Sequence, residues 1–323
     1  MPPLSVRYST TPTATDATTF AVVRYGAASS DVTVSDGHLH IDVAMPVLGH
    51  THGCHEVWNT TLPRQASQAG PVAFMRNEEL LFGALCLDDG QTLEQVSRDG
   101  YQTLLDLLRD QGYPYPLRTW NYLPHIVDHE AGMERYQLFC SGRHAAFNTA
   151  PGYENLLPAA SALGTHAPGF LIYFIAARNP GIQVENPQQV SAFRYPRQYG
   201  PKPPSFSRAL VKPWCTQTNF YLSGTASVFG HASLYPGDIG AQLRLTLDNI
   251  ECLIARGRVL HPASPARLDE LQLLKVYLRN AEDYPQVRAE LQQRLGEHHP
   301  VLYLLADVCR TELLVEIEGM AFS

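Results

Sequence analysis

The sequence predicts an α+β protein of two related domains, each a mixed sheet covered by helices. Three observations predict it. Strand and helix patterns follow one another in the order strand, helix, strand, helix, and the order occurs twice. The tract TWNYL, ending at Leu123, lines up with LKVYL, ending at Leu278, an offset near half the chain. The length, 323 residues, holds two domains of ordinary size.

In the first half, Glu79 to Gln91 (ELLFGALCLDDGQ) reads as a strand entering a loop. Leu93 to Gly112 is an amphipathic helix stopped by glycine, Pro116 to Ile126 a strand, and Met133 to Phe147 a second helix. Tyr153 to Thr165 is loop-like and divides the chain into a degenerate domain, 1–160, and a second domain, 161–323, expected to carry most of the functional site. The longest strongly apolar run, FLIYFIAA at Phe170 to Ala177, is too short to cross a bilayer and reads as a buried strand. Tyr195 to Trp214 is Pro-rich and basic, too punctuated for a helix, and reads as a long ordered loop. A strand then enters the glycine-rich tract SGTASVFGHAS. Apolar residues at Ile239, Leu243, Leu247, Ile250 and Leu253/Ile254 mark a helix, with Asp238 as N-cap and Gly257 as stop. Leu273 to Leu278 is a strand, Pro285 to Leu295 a short helix, and TELLVEIEGMAF the last strand.

Composition narrows the function. The net charge of −7 excludes the electrostatic footprint of a nucleic-acid binder and argues against an anionic membrane surface, but not against a small anionic ligand held by local arginines. Six cysteines occur singly, with no C-x-x-C pair, which indicates a reducing cytoplasm rather than a disulfide scaffold. The N-terminal residues lack the basic and apolar regions of a signal peptide. Neither a phosphate-binding glycine loop nor a G-x-S-x-G nucleophile elbow is present.

Several residues could carry chemistry. Strand alternation puts Glu312, Glu316 and Glu318 on one face of the last strand. Like charges in line raise the pKa of the most buried one, as a general acid requires; a solvated strand face is the plain alternative. Cys309 lies seven residues before Glu316 and by itself reads as a small buried hydrophobe. Gly224 and Thr225 follow a strand, where glycine permits either close approach of a ligand or an ordinary bulge. Arg143 in SGRH and Arg208 in PSFSRA offer forked donors for carboxylates, with Tyr195 and Tyr199 as phenolic donors, though most arginines are surface charges. Arg310 reads as structural. The cluster His38, His40, His50, His52, Cys54 and His55 has ligand chemistry, but no second spaced pair completes a zinc site, so no metal is expected.

The tracts SGTAS, PGDIGAQ, LDNI, KVYL and VEIEGMA resemble the RidA/YjgF family, whose fold is similar to that of the small chorismate mutases. FCSGRHAAF, RQYGPKPPSFSRA, FYLSGTASVFGHAS and DVCRTELLVEIEG resemble the chorismatases, which are two fused RidA-like domains. That resemblance implies a metal-free, cofactor-free enzyme that removes pyruvate from chorismate. It is strongest toward the types that form 3-hydroxybenzoate, alone or, in xanthomonads, with 4-hydroxybenzoate. It implies that Glu316 is the catalytic acid that protonates the enolpyruvyl methylene, and that Cys309 and Gly224 steer the product. Arg143, Arg208, Tyr195, Tyr199 and Thr225 are its implied substrate contacts. A cytoplasmic monomer is expected. The rival functions are a hydrolysing chorismatase giving a dihydroxycyclohexadiene carboxylate, a RidA-type enamine/imine deaminase, and a regulator that binds small acids.

Overall fold

Two six-stranded mixed sheets share one strand order. A computed structural model describes residues 4–10, 15–49, 54–88, 90–149 and 151–323. The first sheet runs Ala159–Thr165, Tyr115–Pro124, Phe170–Ala177, Leu80–Leu87, Val72–Arg76, Gln65–Ala69. The second runs Val301–Leu305, Leu273–Leu278, Val315–Phe322, Thr218–Ala226, Ala209–Pro213, Ile182–Val184. Position for position these are the same strands of a repeated unit, and in each sheet only the first pair is parallel. Tyr122 and Tyr277, which the offset of TWNYL and LKVYL aligns, occupy equivalent places. Their neighbours on the next strand are Leu171 and Glu316, and one step on Trp120 faces Tyr173 while Lys275 faces Glu318. Only the second unit carries the two glutamates.

Helices cover the outer face of each sheet. α1 (Leu93–Gln111) starts at Thr92, whose side chain accepts from the Gln95 amide, and stops at Gly112 with φ 79°. It packs with α2 (Arg135–Phe147) on the first sheet, around Leu104, Leu108, Phe139 and Phe174. α3 (Ile239–Leu260) is capped by Asp238, which accepts from the Ala241 amide at 2.9 Å. Together with α4 (Tyr284–Leu295) it covers the second sheet through Leu243, Leu247, Ile250 and Leu291. The stop expected at Gly257 does not occur. A Cβ there would lie 2.8 Å from the Phe220 ring, so this glycine serves helix-to-sheet contact and the helix continues to Leu260.

The domain division at 160/161 is corrected. Residue 160 lies inside the strand Ala159–Thr165, and both this strand and Phe170–Ala177 pair with Tyr115–Pro124. The first unit therefore ends at Ala177, and the second sheet begins at Ile182. Tyr153 to Thr165, expected as a loop, is a 3-10 turn followed by that strand. Its Ala- and Gly-rich sequence has little strand propensity; pairing to a buried neighbour decides its conformation. The Tyr195 to Trp214 loop likewise ends in a strand, Ala209–Pro213.

A third sheet was not expected. Residues 5–59 form five strands in the order Ser5–Ser9, Cys54–Asn59, Thr19–Tyr25, His38–Val43, Asp31–Ser35. Its inner face (Val23, Tyr25, Ile41, Trp58) meets the inner faces of both six-stranded sheets (Trp120, Tyr122, Tyr173; Tyr221, Tyr277, Met320) in one central core. The six-stranded sheets are thus buried on both sides, which accounts for their near-continuous apolar strands. Among the described residues no helix is long and apolar enough to cross a membrane.

Candidate active site

A cavity of about 190 Å³ opens where α2, the edge of the first sheet and the second sheet meet. Its wall includes Glu316, Cys309, Arg143, Arg208, Tyr195, Tyr199 and Gly224, residues distant in sequence that the fold brings together. Thr225 is the exception. It is buried, its hydroxyl donates to the Ser223 carbonyl at 2.9 Å, and it is absent from the cavity wall. The pleat explains this: Gly224 and Ala226 face the cavity, so the residue between them faces away.

Glu316 is 5% exposed and accepts no hydrogen bond from any described residue. Burial, and then the neighbouring Glu318 carboxylate, raise its pKa to about 8, against a smaller opposing pull from Arg118 and Arg208. Glu316 is therefore a neutral acid at pH 7. Its sequence-adjacent carboxylates behave differently. Glu312 precedes the strand and sits at the cavity wall, so the expected row of three carboxylates contains only two. Glu318 is the more buried of those two, yet its pKa is lowered to about 2: the desolvation cost is outweighed by Lys275 and Arg118. Burial alone does not select the acid; the cations do.

Gly224 lies across from that carboxyl on the adjacent strand. A Cβ at 224 would fall 1.9 Å from Glu316 Oε1 and 3.1 Å from Ser161 Oγ. Any side chain here must turn the Glu316 carboxyl away from its present direction. Gly224→Ala is expected to leave the fold intact, because the obstructed group is the end of a flexible side chain, and to lower kcat at least tenfold or change the product ratio. Kinetics with product chromatography check this, and unchanged turnover and products would contradict it.

Arg143 and Arg208 are 2% and 6% exposed. Arg143 projects from α2 through an aromatic cage, 4.8 Å from the Tyr101 ring centre and 5.4 Å from that of Phe147. It donates to Thr119 Oγ1 at 3.0 Å, and its Nε has no partner. Arg208 donates to Tyr195 Oη at 2.6 Å and to the Val190 carbonyl at 3.0 Å; its Nε is also unpartnered. Neither guanidinium forms an ion pair among the described residues. Two buried, incompletely satisfied cations on one cavity are a receptor for anionic groups.

Arg310, read from sequence as structural, also lines the cavity. Its guanidinium lies 4.0 Å from the Tyr199 ring centre and 5.3 Å from that of Tyr195, and donates to the His231 carbonyl and Ser233 Oγ, both at 3.0 Å. Tyr199 Oη in turn bonds His231 Nδ1 at 3.1 Å. The turn carrying Cys309 and Arg310 is held by Arg279, which binds Asp307 and the carbonyls of Val308, Arg310 and Leu313. Burial and the nearby Glu316 push the Cys309 thiol up to about 12, with the Tyr136 hydroxyl beside it. A thiol so raised is neutral and shapes the cavity rather than acting as a nucleophile.

The histidine cluster is described only in part. His50 and His52 lie outside the described residues, while His38 Nδ1 bonds the Thr19 carbonyl at 3.0 Å. Among the described residues no group of three or more His, Cys, Asp or Glu side chains could hold a metal ion.

Known proteins match most of this chain. Residues 56–176 match the family model of the N-terminal part of FkbO/Hyg5-like chorismatases. A 3-hydroxybenzoate synthase of Streptomyces hygroscopicus is 34% identical over 93% of this chain and 90% of that protein. A chorismatase of Streptomyces rapamycinicus is 37% identical over 82% of this chain and 81% of its own. A chorismatase crystal structure superposes with a TM-score of 0.92 at 31% identity, covering 98% of both chains. With relatives this similar over nearly their full length, and a cavity that pairs buried arginines with a neutral carboxylic acid, the chain belongs to the chorismatase family.

Proposed function

We propose that this protein is a chorismatase that converts chorismate into pyruvate and 3-hydroxybenzoate. The observation that carries the reading is the buried Glu316 carboxyl, which has no hydrogen-bond partner among the described residues and whose pKa burial and Glu318 raise to about 8, in a cavity bordered by two buried arginines. Arg143 and Arg208 bind the two carboxylates of chorismate, with Tyr195 bonded to Arg208 and Tyr199 packed against Tyr195.

Glu316 gives its proton to the enolpyruvyl methylene, which becomes the methyl group of pyruvate. The positive charge moves to the ether-bearing carbon. The bond from C3 to the ether oxygen then breaks, its electrons completing the pyruvate carbonyl. The C4 hydroxyl oxygen bonds to C3 and releases its proton, which restores the Glu316 acid. The strained three-membered ether opens, C3 loses its hydrogen, and the ring becomes aromatic. The overall reaction consumes no water. Cys309 and Gly224 shape the space in which the ring opens. Six unpaired cysteines fit a reducing cytoplasm, and the shared core closed by three sheets of one chain fits a monomer.

Incubation of the purified protein with chorismate in ¹⁸O-water tests the reading. Equal amounts of pyruvate and hydroxybenzoate are expected, with no label in the aromatic product. Label in a dihydroxycyclohexadiene carboxylate would assign the hydrolysing reaction instead, and pyruvate no higher than background would refute the enzyme.

A further inference from the structure

Glu316 and Glu318 lie two residues apart on one strand face, in opposite surroundings. Every acceptor position of Glu318 is occupied. Oε1 accepts from Trp120 Nε1 at 2.6 Å and Lys275 Nζ at 2.9 Å; Oε2 accepts from Arg118 Nη2 at 2.6 Å and Ser161 Oγ at 2.5 Å. Lys275 continues the chain of contacts to Glu56 Oε1 at 2.9 Å and to the hydroxyls of Tyr25 and Tyr173 at 2.9 and 3.0 Å. Trp58 Nε1 donates to the other Glu56 oxygen at 3.3 Å. Glu56, Arg118, Lys275 and Glu318 are each at most 2% exposed. They come from all three sheets: Glu56 from the N-terminal one, Arg118 from the first six-stranded one, Lys275 and Glu318 from the second.

We propose that Glu56 and Lys275 are positioning residues for the proton donor: Lys275 holds Glu318 as a permanent anion, and Glu56 balances the charge of the cluster's second cation, so that Glu316 is the carboxyl that keeps a proton. This rests on the reading of Glu316 as the acid. Two adjacent carboxyls in a low-dielectric region do not both ionise readily, and the one in contact with cations ionises first. Among the described residues Glu318 touches two cations and Glu316 none. The groups facing Glu316 are Glu318 on its own strand, Arg118 from the first sheet, Arg208 from the loop before Ala209–Pro213 and Cys309 from the preceding turn. Those facing Glu318 are Lys275, Arg118 and the phenols of Tyr122, Tyr173 and Tyr277. With two carboxylates and two cations, the cluster is neutral. Without Glu56 it carries a net positive charge, which draws the Glu316 proton off at lower pH. The N-terminal sheet, which contributes no residue to the cavity wall, thereby sets the acid strength of the site.

The test reads Glu316 directly in ligand-free protein. Its carboxyl infrared band, assigned by its loss in Glu316→Gln, is titrated in the wild type, in Glu56→Gln and in Glu318→Gln. The wild-type midpoint is expected near 8. It should fall by about one pH unit or more in Glu318→Gln, and by a smaller amount in Glu56→Gln. Glu56→Asp, which keeps the charge, should return the midpoint toward the wild-type value. The Glu56 variants report even if Glu318→Gln does not fold. An unmoved midpoint in Glu56→Gln would overturn the proposal. Because no chorismate is used, failure here is separate from failure of the enzymatic reading.

Discussion

Glu316→Gln is expected to fold normally and to release pyruvate from chorismate about a thousandfold more slowly than the wild type, in the range of a lost general acid. Glutamine matches the shape of the protonated carboxyl but holds no proton acidic enough for a carbon centre. Because Glu316 is neutral and accepts no hydrogen bond from any described residue, its replacement leaves no buried charge unpaired. Stability should therefore stay within about 1 kcal/mol of the wild type. The loss should fall on kcat with KM nearly unchanged, since substrate carboxylates are held elsewhere, by Arg143 and Arg208. Full activity in this variant would remove Glu316 from the mechanism.

The second large effect concerns stability. Lys275→Met should lower the unfolding free energy by about 3–5 kcal/mol, the cost of breaking a buried ion pair from one side. The methionine fills the space, but it leaves the Glu56 and Glu318 carboxylates facing each other across the central core with their shared cation gone. Tyr25 and Tyr173 lose their ammonium donor as well. Denaturant unfolding monitored by tryptophan fluorescence measures this, since Trp58 and Trp120 sit in that core. Destabilisation below about 1 kcal/mol would mean that the carboxylates find other partners or take up protons without cost.

The sequence reading and the structure agree where periodicity is strong. α1 and α3 carry regular apolar stripes and side-chain N-caps, and TWNYL and LKVYL show the repeat because both lie at the same place in their sheets. The N-terminal sheet was legible only in part. Its outer strands, Ser5–Ser9 and Asp31–Ser35, are short, polar and exposed, so no apolar alternation marks them. One signal was there: Asp36-Gly37 between DVTVS and HLHIDV, with φ of 51° and 76°, is a two-residue hairpin turn.

In the site, the VEIE tract pointed to the acid, but not to why Glu316 rather than Glu318 holds the proton. That choice is made by Lys275 and Arg118, on other strands and far away in sequence. The sequence does not place Arg310 at the cavity, for a related reason. Its direction depends on how Arg279 folds the turn after residue 307, which no local pattern reveals. Thr225 was grouped with Gly224 because the residues are neighbours in sequence, whereas on a strand neighbours face opposite sides.

In the proposed mechanism a neutral Glu316 donates the proton that releases pyruvate. The pH dependence of kcat/KM for pyruvate release tests it most directly. The acid form is the active one, so the rate should be level through neutral pH and fall about tenfold per pH unit above a midpoint near 8. The small residual rate of Glu316→Gln should lack that limb. A rate that climbs through pH 8, or a limb that persists in Glu316→Gln, would contradict it.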